Sequence, residues 1–184
     1  MSILVERSNK NHALVYATKV LLGSFFIAAS AQISIPFYPV PMTMQPAALM
    51  IIGLLCSPHM TVSIVTTYLI EAAVGLPVLS NFTSGIPHLI GTRGGYIVGG
   101  FLPLALITSL MRQASGHLLY RILGCLSGNV FLYTVGIAWL STFIGFEKAI
   151  QFGLYPFLWE IPIYIAFSIL TANLSERYLK DKFL

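Results

Sequence analysis

The stretch Leu118–Ile144 reads LLYRILGCLSGNVFLYTVGIAWLSTFI, and Arg121 is its only charged residue. Apolar residues run through it without the alternation of a half-buried strand. It also exceeds the roughly 20 residues that a helix needs to cross a bilayer. Hydrocarbon offers no partner to a backbone amide, so a spanning segment must satisfy its own hydrogen bonds, as a helix does. This run is read as a membrane helix.

The whole chain fits that reading. Of its 184 residues, 9% are charged and 57% hydrophobic, whereas an ordinary soluble domain carries about 25% charged residues. Such a chain cannot coat a water-facing surface. Further apolar runs lie at about Leu14–Ala31, Tyr96–Leu110 and Tyr155–Leu174. Two shorter ones, about Met44–Cys56 and Pro58–Val74, meet at Ser57-Pro58-His59, where Pro58 is suited to open a helix. The expected architecture is one all-α domain over residues 1–184, with six transmembrane helices in a compact bundle. Ala29-Ser30-Ala31 resembles a signal-cleavage site, but the apolar run has no obvious end there, and the segment is read as the first span.

Charge orients the six spans. With the N-terminus inside, the cytoplasmic segments contain Arg7, Lys10, Lys19, Arg112, Arg121, Arg177, Lys180 and Lys182, and the outer ones only Arg93 and Lys148. Eight cations against two follow the positive-inside rule and place both termini in the cytoplasm of a multi-pass cell-membrane protein. The net charge of +4 is thereby explained without nucleic acid, since the basic residues do not cluster with aromatic ones in a soluble segment.

That topology brings two unusual loops to the outer face. Ile33–Pro41 contains three prolines, each removing a donor and disfavouring helix in the residue before it. Residues 80–95 form a second long, glycine- and proline-containing loop. Long loops in compact bundles are commonly binding loops, so the two are read as the mouth and lid of a pocket near the outer face, with plain connectors as the alternative.

Ala31-Gln32-Ile33-Ser34-Ile35-Pro36, Pro39-Val40-Pro41-Met42-Thr43-Met44-Gln45, Tyr68-Leu69-Ile70-Glu71-Ala72-Ala73-Val74-Gly75-Leu76-Pro77-Val78 and Gly94-Gly95-Tyr96 resemble, in order and spacing, the BioY biotin-transporter family. The resemblance implies a substrate-binding component of an energy-coupling-factor importer: biotin as substrate, membrane lipid as surroundings, and a transmembrane coupling subunit with separate ATPase subunits as partners. No Gly-x4-Gly-Lys-Ser/Thr loop is present to cradle nucleotide phosphates. An enzyme is not expected, because His-Glu-x-x-His, an activated nucleophile and paired carboxylates at helical spacing are missing. Neither cofactor nor metal is expected. A related vitamin or biotin analogue is the alternative substrate.

Thr43 and Gln45 match the family's Thr-x-Gln and are candidate ligand contacts, with helix capping as the rival role for Thr43. Asn81 offers both donor and acceptor, as a ureido ring requires, or is a turn residue. Tyr96 is placed to stack on or bond the ligand, or to anchor at the membrane interface. Glu71, late in a span, is read as more structural than functional.

The last span departs from the family. Where relatives resemble Pro-Gly-Asp-x-x-Lys, this chain reads Pro156-Phe157-Leu158-Trp159-Glu160-Ile161-Pro162-Ile163-Tyr164. Ile161 falls on the Asp position and Tyr164 on the Lys position, while Glu160 is one residue early, ~100° around a helix. Trp159, Glu160 and Tyr164 enter the expected site. Glu160 is taken to accept the ureido N–H bonds after a local rearrangement, and Arg93 to pair with the tail carboxylate, its rival role being a solvated loop cation. Ser24 and Ala28, at i and i+4, form a small-residue face for the coupling subunit or for packing within the bundle.

Overall fold

The computed structural model describes residues 2–183, and the side chains of residues 12–178. Arg7, Lys10, Lys180 and Lys182, which weighed in the charge argument, lie outside the described side chains. The chain is mostly helical, at 81%. Its elements in order are α1 (Ser2–Gln32), β1 (Ser34–Ile35), β2 (Met42–Thr43), α2 (Gln45–Leu55), α3 (Pro58–Ala73), α4 (Ile86–Ile90), α5 (Phe101–Ala114), α6 (Leu118–Ile144), α7 (Phe146–Gly153) and α8 (Glu160–Phe183). A π turn over Gly95–Gly100 leads into α5, and 3₁₀ turns occupy Ser80–Phe82 and Tyr155–Trp159.

Helix α2 is the axis of the bundle. Nine of its residues, Gln45 and Ala47–Leu54, are buried, and a helix apolar on every side is a core helix. Helices α5 and α8 pack against it, α6 packs on α5, and α1 packs against α3. Gly128 allows a close approach of α5 and α6: a Cβ there would stand 2.8 Å from the Leu104 carbonyl oxygen. Small residues at such seams let two backbones come together where lipid supplies no hydrophobic drive.

Four helical stretches, His12–Gln32, Gly95–Ala114, Leu118–Ile144 and Phe146–Tyr178, are long and apolar enough to cross a membrane. Exposed large apolar side chains such as Leu22, Phe25, Phe131, Ile163 and Phe167 clothe the outside, as lipid requires. Helix α6 has the bounds read from the sequence. The last span differs from its expected form: α7 and a 3₁₀ turn precede α8 in place of one helix from Tyr155. Gly145, at φ 82°, turns the chain between α6 and α7, a conformation that costs glycine little.

Both expected loops contain order. The proline-rich segment closes as an antiparallel pair, Ser34 opposite Thr43 and Ile35 opposite Met42. Prolines 36, 39 and 41 lie between the paired positions, where no ladder donor is needed. The second loop holds the Ser80–Phe82 turn and α4.

Candidate ligand-binding site

The hairpin, the Ser80 turn, the π turn and the start of α8 converge on one cavity, which holds about 490 Å³ free of protein atoms, part of it open to solvent. Val40, Pro41 and Thr43 come from the hairpin, Gln45 and Pro46 from α2, and Ser80 and Arg93 from the loop. Tyr96, Ile97, Phe101, Leu132, Tyr133 and Phe157 make an apolar wall, and Glu160 closes the ring. Mostly apolar lining with a few fixed polar groups is the usual constitution of a small-molecule site.

The polar groups are held by protein before any ligand arrives. Gln45 is buried and donates from Nε2 to the Tyr68 hydroxyl at 2.6 Å, while Thr43 Oγ1 donates to Gln45 Oε1 at 3.1 Å. Tyr68 in turn donates to the Val78 carbonyl at 3.2 Å. Thr43 also accepts from the Gln45 amide at a long 3.4 Å, but the N-cap position of α2 is Met44 and no side chain caps the helix. The amide of Gln45 is thereby oriented, with one N–H and one lone pair left over.

Arg93 is half-buried and donates to Ser80 Oγ at 2.8 Å. Burial lowers its pKa from the ordinary value, and neighbouring Tyr68 acts in the opposite sense. Among the described residues no carboxylate lies within ion-pair distance of it. A guanidinium so placed can still take an anion through its remaining donors.

Glu160 reaches the cavity because the chain enters α8 through a 3₁₀ turn. Three residues per turn put i and i+3 on one face. Phe157 and Glu160 therefore both face inward, and Trp159 falls about 120° away. The rearrangement expected near Pro162 occurs instead before α8, and Pro162 sits in its first turn, where proline is tolerated. Tyr164, one turn along α8, is half-buried and packs against the core.

Tyr96 is buried, which removes the interface-anchor role. Its hydroxyl donates to the Gly153 carbonyl at 2.9 Å. Its ring meets Tyr133 edge-on at 6.2 Å, and Tyr133 stands 5.8 Å from Phe157, giving an aromatic surface inside the cavity. Gly136 makes this possible, since a Cβ there would enter the Tyr96 ring.

Of the eight expected ligand contacts, Thr43, Gln45, Arg93, Tyr96 and Glu160 line the cavity and three do not. Asn81 is exposed in a left-handed turn at φ 56°, Trp159 is 80% exposed, and Tyr164 is half-buried against the core. Ser24 is corrected as well: it is buried and donates to Glu71 Oε1 at 3.0 Å, so it joins α1 to α3 within the bundle. Ala28 is half-buried against the same core. Glu71 is not among the cavity residues. Sequence reasoning missed Tyr133, Phe157, Ser80 and Tyr68. Tyr133 is one aromatic residue among several in α6, and only its facing separates it from the rest. Among the described residues no three His, Cys, Asp or Glu gather as a metal site would require.

Comparison with known proteins places this geometry. The family model described as "BioY family" matches residues 7–181. Two relatives carry the name "Probable biotin transporter BioY". That of Rickettsia prowazekii is 32% identical over 84% of this chain and 79% of its own length. That of Pyrococcus horikoshii is 36% identical over 77% of this chain and 86% of its own. In fold the chain resembles a solved S-component for biotin from an ECF-type ABC transporter, with a TM-score of 0.79, 24% identity and coverage of 91% and 93% of the two chains. A match that spans nearly the whole sequence, joined to a lipid-facing helical bundle, establishes that the chain belongs to the BioY family of multi-pass membrane transporters.

Proposed function

We propose that this chain takes up biotin across the cell membrane as the vitamin-capturing subunit of an energy-coupling-factor importer, with a transmembrane coupling subunit and ATPase subunits supplying the energy. The reading includes six spans, α2 and α3 completing the four long stretches, both termini in the cytoplasm, and the cavity facing outward. The observation that carries it is the meeting of Glu160 and Arg93 in one largely apolar cavity.

Biotin presents two ureido N–H donors and one carbonyl acceptor, a thioether ring, an aliphatic tail and a terminal carboxylate. Glu160 is the acceptor for the N–H groups, and Gln45 and Thr43 are the remaining polar contacts to the ureido ring. Tyr96, Tyr133 and Phe157 are the surface for the fused rings. Arg93 is the partner of the carboxylate. Asn81, Trp159 and Tyr164 stay outside this ligand set. Buried polar groups left unpaired by a wrong ligand cost ~1–3 kcal/mol each, and this supplies selectivity.

The test is labelled-biotin binding to the purified chain in detergent, with thiamine, riboflavin and lipoate as competitors, repeated on Glu160→Ala and Arg93→Ala. Each variant is expected to bind biotin roughly tenfold to a hundredfold more weakly. Unchanged affinity in both would remove the assignment of these two residues. Full displacement by another vitamin at lower concentration would make that vitamin the substrate.

A further inference from the structure

Arg93 is placed by something outside the cavity. Its guanidinium donates to Ser80 Oγ, and Ser80 begins a tight turn in which Asn81 and Phe82 have φ of 56° and 55°. Asparagine tolerates that left-handed region, but for a bulky residue such as phenylalanine it is a true outlier. Phe82 is 70% exposed, so packing of its own side chain is not what holds it in that conformation.

Gln32, the last residue of α1, is what grips it. Its Nε2 donates to the Leu79 carbonyl at 3.1 Å and to the Ala28 carbonyl at 3.2 Å, and its Oε1 accepts from the Phe82 amide at 3.1 Å. The side-chain amide thus spans the turn, bonding the residue before Ser80 and the second residue after it. Within the turn, the Leu79 amide donates to the Thr83 carbonyl at 3.1 Å, and Thr83 Oγ1 donates to the Ser80 carbonyl at 2.9 Å. Leu79 is buried beneath. Both the donors and the acceptor of Gln32 are used, so the clamp has a defined orientation.

We propose that Gln32 is a positioning residue for the ligand's acidic end: by holding the Leu79–Thr83 turn in its left-handed form, it sets Ser80 and, through Ser80, aims Arg93 into the cavity. The inference rests on the reading of Arg93 as the carboxylate partner. Backbone held in sparsely populated regions persists where its surroundings over-determine it, and such sites cluster at ligand clamps. Gln32 never touches ligand in this scheme. Its influence is confined to one end of it.

That confinement gives the test. Affinities for biotin and for its neutral carboxamide are measured by calorimetry on the full chain in detergent. Arg93→Ala should weaken biotin about tenfold more than the amide, the loss of one charge-assisted bond. Gln32→Ala should lower the biotin-to-amide preference in the same sense, and Gln32→Ala with Arg93→Ala should show no further loss, as residues acting in series do. Ser80→Ala leaves the clamp intact and should give the same loss of preference. This keeps the proposal testable if Gln32→Ala fails to fold.

A preference that falls in Arg93→Ala but stays at the wild-type ratio in Gln32→Ala or Ser80→Ala overturns the positioning role and leaves the site reading intact. A preference unmoved in Arg93→Ala overturns the reading of Arg93 itself, and the inference with it.

Discussion

Tyr68 and Gln45 are bound hydroxyl to amide at 2.6 Å, and both are buried. The pair links α3 to the first residue of α2, and the onward bond from Tyr68 to the Val78 carbonyl ties that link to the loop above the cavity. Tyr68→Phe leaves a buried N–H of Gln45 without an acceptor, at a cost of about 1–3 kcal/mol. Thermal unfolding in detergent should show a lowered midpoint, with weaker ligand binding as Gln45 loses its orientation. An unchanged midpoint would mean that this bond contributes nothing.

Phe157 and Trp159 are two residues apart and should behave oppositely. Phe157 is 5% exposed and lies against Tyr133, so Phe157→Ala removes about 3–5 kcal/mol of buried packing and spoils the aromatic wall. Trp159 is turned outward, and Trp159→Ala should change detergent-phase biotin affinity by no more than about twofold. Equal losses in the two would show that the 3₁₀ turn does not set the facing described.

Gly136→Ala introduces a Cβ where the Tyr96 ring lies. Overpacking of this kind costs typically 1–3 kcal/mol, and it should displace the hydroxyl of Tyr96 from the Gly153 carbonyl. A lower unfolding midpoint and a weaker ligand are both expected. Gly116→Ala, at a position with no neighbour near the added methyl, serves as the control and should leave both intact.

At the opposite end of the bundle, Arg121 meets Glu176 at 2.9 Å and Asn173 Oδ1 at 2.8 Å, while Arg112 approaches the same glutamate at 4.0 Å. Glu176→Gln removes the one acid between two cations. Stability should drop by about 1 kcal/mol, more at low ionic strength than at high, because screening relieves cation repulsion. Identical midpoints at both salt concentrations would argue that the repulsion is already dissipated.

The helical class and the course of α6 were legible because hydrophobic run length reports directly on what lipid demands of a backbone. That Thr43, Gln45, Arg93, Tyr96 and Glu160 line one cavity was foreshadowed by motif and chemistry together. Trp159 was misplaced because facing depends on helix pitch, and nothing in its residue type distinguishes three residues per turn from 3.6. Asn81 was misplaced for a related reason: the donor–acceptor chemistry that suits a ureido ring suits a left-handed turn equally well. Ser24 was drawn to a partner surface because small residues serve seams on either side of a helix, and only its bond to Glu71 tells which.

Helix α2 has 11 residues and so rises about 17 Å, little more than half of a bilayer's ~30 Å hydrocarbon depth. Gln45 and Pro46, at its start, form part of the cavity. On the proposed outward orientation, a solute resting there would sit on the end of a rod shorter than the membrane is deep. The rest of the crossing would then be shared between that short rod and the partner subunits of the proposed importer.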